Sequence, residues 1–253
     1  MIITNSTFTL FFSENKQMRE NFFKIEKHFD GYQRPFTLVP LPLDAPMEIP
    51  RIISTTENGH SQLTIRGNSV QLTTRYDNEY SDSISKCLEY KKNRVQQIVD
   101  AMPLIDGMPK ENQKFYYSGL SIDMIYNEND GINSPVNYLN EVHIKDNISL
   151  PIEEMQCRLA LVIENQFYLN IILQNKKFYN GIADERGSLA GLKNSNDALL
   201  VSIDINDRYS FNNVANYNSS SERIIHLAAI MERFVNDYLP TYIKTGEVNY
   251  VTE

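Results

Sequence analysis

Apolar residues recur along this chain with two periods, and the two periods alternate in blocks. Residues 7–12 are rich in Phe and Thr and read as a strand. Met18, Phe22, Ile25 and Phe29 then fall on one face of a helix, with Ser13 placed to cap it and Gly31 to stop it. Pro35, Pro40, Pro42, Pro46 and Pro50 follow in an apolar context. Each removes a backbone donor, so this stretch is expected as an edge strand and an extended crossing. The turn signals Glu57-Asn58-Gly59-His60 and Gly67-Asn68-Ser69 separate three strands, 52–56, 62–66 and 70–75. Leu63/Ile65 and Val70/Leu72 give two of them a buried face. A long helix is expected over 80–102, with Ile84, Leu88, Val95, Ile98 and Met102 inward and Pro103 ending it.

The second part of the chain repeats that order. Leu120, Ile122, Met124 and Tyr126 alternate within 115–126, and Ser134-Pro135 starts a helix whose Val136, Leu139 and Val142 face inward. Met155, Cys157, Leu159, Leu161 and Ile163 form the strictest period-two run, and Glu164-Asn165-Gln166 turns it into 167–174. That segment is apolar on both faces, as a strand inside a sheet would be. A looser loop over 181–196 leads to a strand at 199–206. Ser219 with Glu222 reads as a capping box for a final helix, with Ile224, Leu227, Ala228, Met231, Val235 and Tyr238 as its stripe and Pro240 closing it.

The fold class is therefore α+β, mostly antiparallel. Two sheet-and-helix halves are expected, 1–110 and 111–253, each running strand, helix, three strands, long helix, and packed as one compact unit. No residue-level repeat accompanies the shared order, so duplication and chance similarity of topology both account for it.

Charge narrows the function. Lys+Arg 24 against Asp+Glu 32 leaves a net charge of -8. Nucleic-acid affinity needs clustered cations, so a nucleic-acid partner is not expected. The densest basic stretch, Lys91-Lys92-Asn93-Arg94, reads as a solvated helix face. Two isolated thiols, Cys87 and Cys157, lack metal-ligand spacing and suit a reducing compartment. The N-terminal residues do not read as a signal peptide, and the longest apolar run, 159–163, is far short of a membrane helix. A soluble cytoplasmic protein is expected.

Candidate chemistry is sparse. His28, His60, His143 and His226 sit in no recognisable catalytic signature, and Gly187-Ser188-Leu189-Ala190-Gly191 matches neither a phosphate loop nor a nucleophile elbow. No cofactor is implied. The most pointed acidic group is Asp204-Ile205-Asn206-Asp207, where Asp204 and Asp207 could hold a metal ion through hard oxygen ligands. The competing reading has Asp204 facing solvent and Asp207 beginning a loop. The Tyr residues, Tyr116-Tyr117 among them, suit half-buried strand positions or a contact surface. Between 175 and 196, Lys177, Phe178, Tyr179, Asp184, Glu185 and Arg186 combine aromatic groups, both charge signs and nearby glycines, the composition of an adaptable contact surface. A functionless hairpin extension is the other reading of that stretch.

The strand Leu200-Val201-Ser202-Ile203-Asp204-Ile205, the helix through Met231-Glu232-Arg233-Phe234, the closing Thr241-Tyr242-Ile243 and the strands from Pro50-Arg51-Ile52 to Tyr76 carry a resemblance. They resemble a sporadically distributed family of bacterial proteins of about this length whose function is uncharacterised. The resemblance implies a patchily inherited bacterial or phage accessory gene and supplies no site residues. The expected function is a non-enzymatic binding or regulatory protein, an accessory factor in phage–host conflict, with a protein partner or self-association. The alternative is a metal-dependent hydrolase or nuclease built on Asp204 and Asp207.

Overall fold

Alternating apolar and polar positions give most of the nine strands found among the described residues: β1 (Ile2–Phe12), β2 (Thr37–Leu38), β3 (Pro50–Thr55), β4 (Ser61–Arg66), β5 (Ser69–Arg75), β6 (Phe115–Tyr126), β7 (Gln156–Ile163), β8 (Phe167–Asn180) and β9 (Lys193–Asn206). They pair antiparallel in one sheet of order β2-β3-β4-β5-β1-β6-β9-β8-β7. The computed structural model describes residues 1–42, 44–132, 134–144, 151–180, 192–248 and 250. Strands β1 and β6 meet at the centre, joined from Ile2↔Ile125 to Phe12↔Phe115. Outward from β1 come β5, β4 and β3, and outward from β6 come β9, β8 and β7.

One face of the sheet is apolar. Phe8 and Leu10 of β1, Leu72 of β5, Leu120 and Ile122 of β6, Ile171 of β8 and Ile203 of β9 are buried in a single core. Helices α1 (Phe22–His28), α2 (Ile84–Ile105), α3 (Pro135–Leu139) and α5 (Ser221–Arg233) cover that core with Ile25, Ile98, Leu139 and Leu227, while α4 (Arg208–Asn213) sits at the end of β9. Burying each such side chain stabilises the fold by roughly 1.5–3 kcal/mol. The alternate positions, Thr7 and Thr9, Gln71 and Thr73, Ser121, Ser202 and Asp204, point to the opposite face and are only partly covered. This one-sided pattern is the ordinary solution for an antiparallel sheet with helices on a single side.

Several local expectations need correction. Ser13 does not cap α1. The chain first winds a 3-10 turn over Met18–Asn21, and α1 begins without a side-chain cap. Ser83 caps α2, its Oγ accepting from Lys86 N–H at 3.4 Å, and Pro103 lies inside the helix. Only Leu104 and Ile105 follow it, so the helix still ends within a turn of the proline. The exit comes at Gly107, whose φ of 76° is open to glycine at no steric cost. Ser220, not Ser219, caps α5 by accepting from Arg223 N–H at 3.3 Å. Ser219 is instead bridged to Phe115. Pro240 does not close the last helix either. A π-turn over Phe234–Tyr238 leads into α6 (Leu239–Thr245), and Pro240 occupies its first turn, a position that proline tolerates.

Lys91 departs furthest from expectation. It is 1% exposed rather than solvated. Its Nζ donates to Ser6 O at 3.1 Å, Leu72 O at 3.0 Å and Thr74 Oγ1 at 2.7 Å, with no carboxylate among them. Burial pushes its pKa well below the usual lysine range. Among the described residues, no helix is long and apolar enough to cross a membrane.

A pocket on the open face at the β1–β6–β9 seam

Register builds the candidate site. Thr9, Gly119 and Asn206 form one row across β1, β6 and β9, and Thr7, Ser121 and Asp204 form the row beside it. Phe11 and Tyr117 make a third row, closed by Arg208 at the start of α4. All nine residues line a pocket of about 260 Å³ near the middle of the sheet.

Its floor depends on Gly119. A Cβ there would stand 3.1 Å from the Asn206 Cβ and 3.7 Å from Asp204 Oδ1, so any side chain would fill the space between the hydroxyls and the carboxylate. Glycine inside a strand costs about 0.5–1 kcal/mol, and it recurs where another group approaches the backbone closely. The wall is aromatic. Phe11 and Tyr117 stack with ring centroids 4.4 Å apart, Phe211 of α4 packs 5.4 Å from Tyr117, and the Arg208 guanidinium lies 5.6 Å from the Tyr117 ring centre.

Asp204 is the charged group of the floor. Its Oδ2 accepts from Asn170 Nδ2 at 2.9 Å and from Asn206 Nδ2 at 2.7 Å. Burial raises the pKa of its carboxyl, while the two amides and the more distant Arg158 pull it back down. A second, shallower depression of about 430 Å³ adjoins across Thr9 and Phe11 and reaches Glu48, Arg66 and Gln71, so the aromatic wall stands between two halves of a longer groove.

The two aspartates expected to act together are put to different uses. Asp204 faces the pocket. Asp207 is fully buried, its Oδ1 accepting from Ser118 N–H at 2.6 Å and its Oδ2 from Tyr217 O–H at 2.6 Å. One oxygen ties the start of α4 to β6, and the other holds the loop that follows α4. Among the described residues no three His, Cys, Asp or Glu side chains stand close enough to hold a metal ion.

Within the stretch 175–196, residues 175–180 extend β8 and 193–196 begin β9, while 181–191 lie outside the described residues. Lys177, Phe178 and Tyr179 belong to β8 and pair with Asp197, Asn196 and Asn194 of β9. Lys177 is ion-paired with Glu153, and Phe178 and Tyr179 are 37% and 38% exposed. They stand seven or more residues from Asn170 along β8, roughly 23 Å at a strand's rise, so they do not share the Asp204 pocket. Asp184, Glu185 and Arg186 lie outside the described residues. Sequence reasoning passed over Thr7, Thr9, Phe11, Gly119, Asn170 and Arg208. The one available signal was Gly119, a lone glycine interrupting an otherwise alternating strand. Compared with protein-family models and with curated proteins, the chain matches none.

Proposed function

We propose that this protein is a non-enzymatic binding protein that docks a protein partner on the open face of its sheet, around the pocket of β1, β6 and β9. The observation that carries the reading is Gly119. A central strand gives up a side chain where packing would favour one, and the result is a cleft among hydroxyl, amide, carboxylate and aromatic groups. Interfaces are built from such aromatic anchors with polar surroundings. The long groove continuing past Phe11 suits an extended partner surface better than an isolated small molecule. Cys87 and Cys157 are both unpaired, in keeping with a reducing, cytoplasmic setting.

We further propose that the two halves are a duplicated unit. Strand order supports this, because 1-5-4-3 and 6-9-8-7 are the same connection pattern read outward from the β1–β6 pair. The long helices α2 and α5 follow the equivalent strands β5 and β9. The pocket then occupies the seam between the units, where a duplicated sheet offers a surface that neither unit has alone.

The docking reading is tested with two folded variants, Thr9→Arg in the pocket and Gln96→Arg on the outer face of α2, used beside the wild type as bait in lysate of the native host. The expected result is a protein retained by wild type and Gln96→Arg and lost with Thr9→Arg. Equal retention by a Thr9→Arg protein with unchanged thermal unfolding would overturn the reading.

A further inference from the structure

We infer that the pocket receives a cationic side chain, arginine or lysine, projected from a basic segment of the docked partner; the inference rests on the docking reading above. Three observations converge on it. One carboxylate oxygen at the floor of the pocket has no donor among the described residues. Asp204 Oδ2 is occupied by two amides, but among the described residues nothing donates to Oδ1. A buried acceptor left unmatched is costly, and a charged N–H donor is the group that relieves it best.

Gly119 provides the second observation. The Cβ it lacks would lie 3.7 Å from Asp204 Oδ1, so the glycine keeps open the approach to the carboxylate oxygen that has no donor. The third is the stacked pair Phe11 and Tyr117 bounding the same cleft, since aromatic faces attract guanidinium and ammonium groups. Arg208 does not compete for Asp204. No hydrogen bond or ion pair joins the two among the described residues, and its guanidinium lies over Tyr117 at the rim, where its N–H groups can meet main-chain carbonyls of the incoming segment. Whole-chain charge points the same way. At -8 the protein attracts a basic partner and repels a second copy of itself. The partially buried carboxylate is also a group whose ionised form gains by acquiring a cation.

The experiment is an amide-resolved NMR titration of the full chain with N-acetyl-arginine amide, with N-acetyl-lysine amide, and with the uncharged isostere N-acetyl-citrulline amide. A single side chain in an open cleft should bind with a dissociation constant on the order of 1 mM, moving the Gly119, Ser121 and Asn206 resonances together. Asp204→Asn, which keeps shape and removes charge, should weaken the arginine probe by about tenfold or more, and citrulline should fall behind arginine by a similar factor. Gly119→Ala should abolish the response by filling the floor. Equal binding of citrulline and arginine, an Asp204→Asn variant that binds like wild type, or no movement of those amides up to about 50 mM probe would each overturn the inference. If Thr9→Arg still loses the partner while citrulline equals arginine, docking on this face stands and the cationic side chain falls. If Thr9→Arg retains the partner, docking itself fails, whatever the titration gives.

Discussion

Lys91 illustrates how a single residue's chemistry is set by what its element faces. It lies on the same stripe of α2 as Ile84, Leu88, Val95 and Ile98, so packing that stripe against the sheet carries its amine inside. Three oxygens receive it, which offsets part of the desolvation of the nitrogen. The folded pKa lies below the unfolded one, so between the two values the unfolded chain binds more protons and stability rises with pH. Cys87 acts in the opposite sense, its thiol pushed up to about 12 by burial. The informative quantity is therefore the difference between wild type and Lys91→Met, measured by urea unfolding from about pH 7 to pH 9.5. Wild-type stability should gain on that of Lys91→Met as pH rises, and parallel pH profiles would show that Lys91 stays charged in the folded protein.

At the scale of elements, the last helix is the instructive one. The stripe from Ile224 to Tyr238 was legible from period alone, but the π-turn over Phe234–Tyr238 was not, and the helix is held in place from other parts of the chain. One hold is Glu164 in the β7–β8 turn, which accepts from Arg233 Nη2 at 3.2 Å and from Tyr250 O–H at 3.1 Å and lies 3.2 Å from His226 Nε2. The other is Gly246, which ends α6 at a φ of 76° with its Cβ position 2.8 Å from the Val142 carbonyl oxygen. Gly246→Ala combines a left-handed alanine with a backbone clash and should cost about 1–3 kcal/mol. Chemical denaturation would check this, and a loss below about 0.5 kcal/mol would mean that α6 shifts freely away from the turn around Val142.

For the whole molecule, the central β1–β6 ladder is expected to make residues 1–110 and 111–253 dependent on each other. Residues 1–110 expressed alone would present β1 as a long edge strand, from Ile2 to Phe12, with its ladder to β6 unmade. Such an edge invites pairing with another copy. Sedimentation should find that half aggregated or dimeric, and a monomer with cooperative unfolding would refute the dependence. By itself the sequence determined the α+β class, most strand positions, the apolar stripes of α2 and α5 and the proline-protected edge at β2. These follow from local period and from proline's missing donor, which neighbouring residues cannot alter. Only the tertiary structure decided which strands sit at the centre, and therefore what shares a row. Thr9, Gly119 and Asn206 are distant in sequence and adjacent in register, so no local pattern could place them together. The solvated face expected for Lys91 and the metal-ligand role or loop start expected for Asp207 failed for the same reason: their partners Ser6 and Leu72, and Ser118 and Tyr217, arrive from other strands and loops. Period reveals which face of a strand is polar, but strand order and register, set by how all the apolar faces are buried at once, decide which polar residues meet.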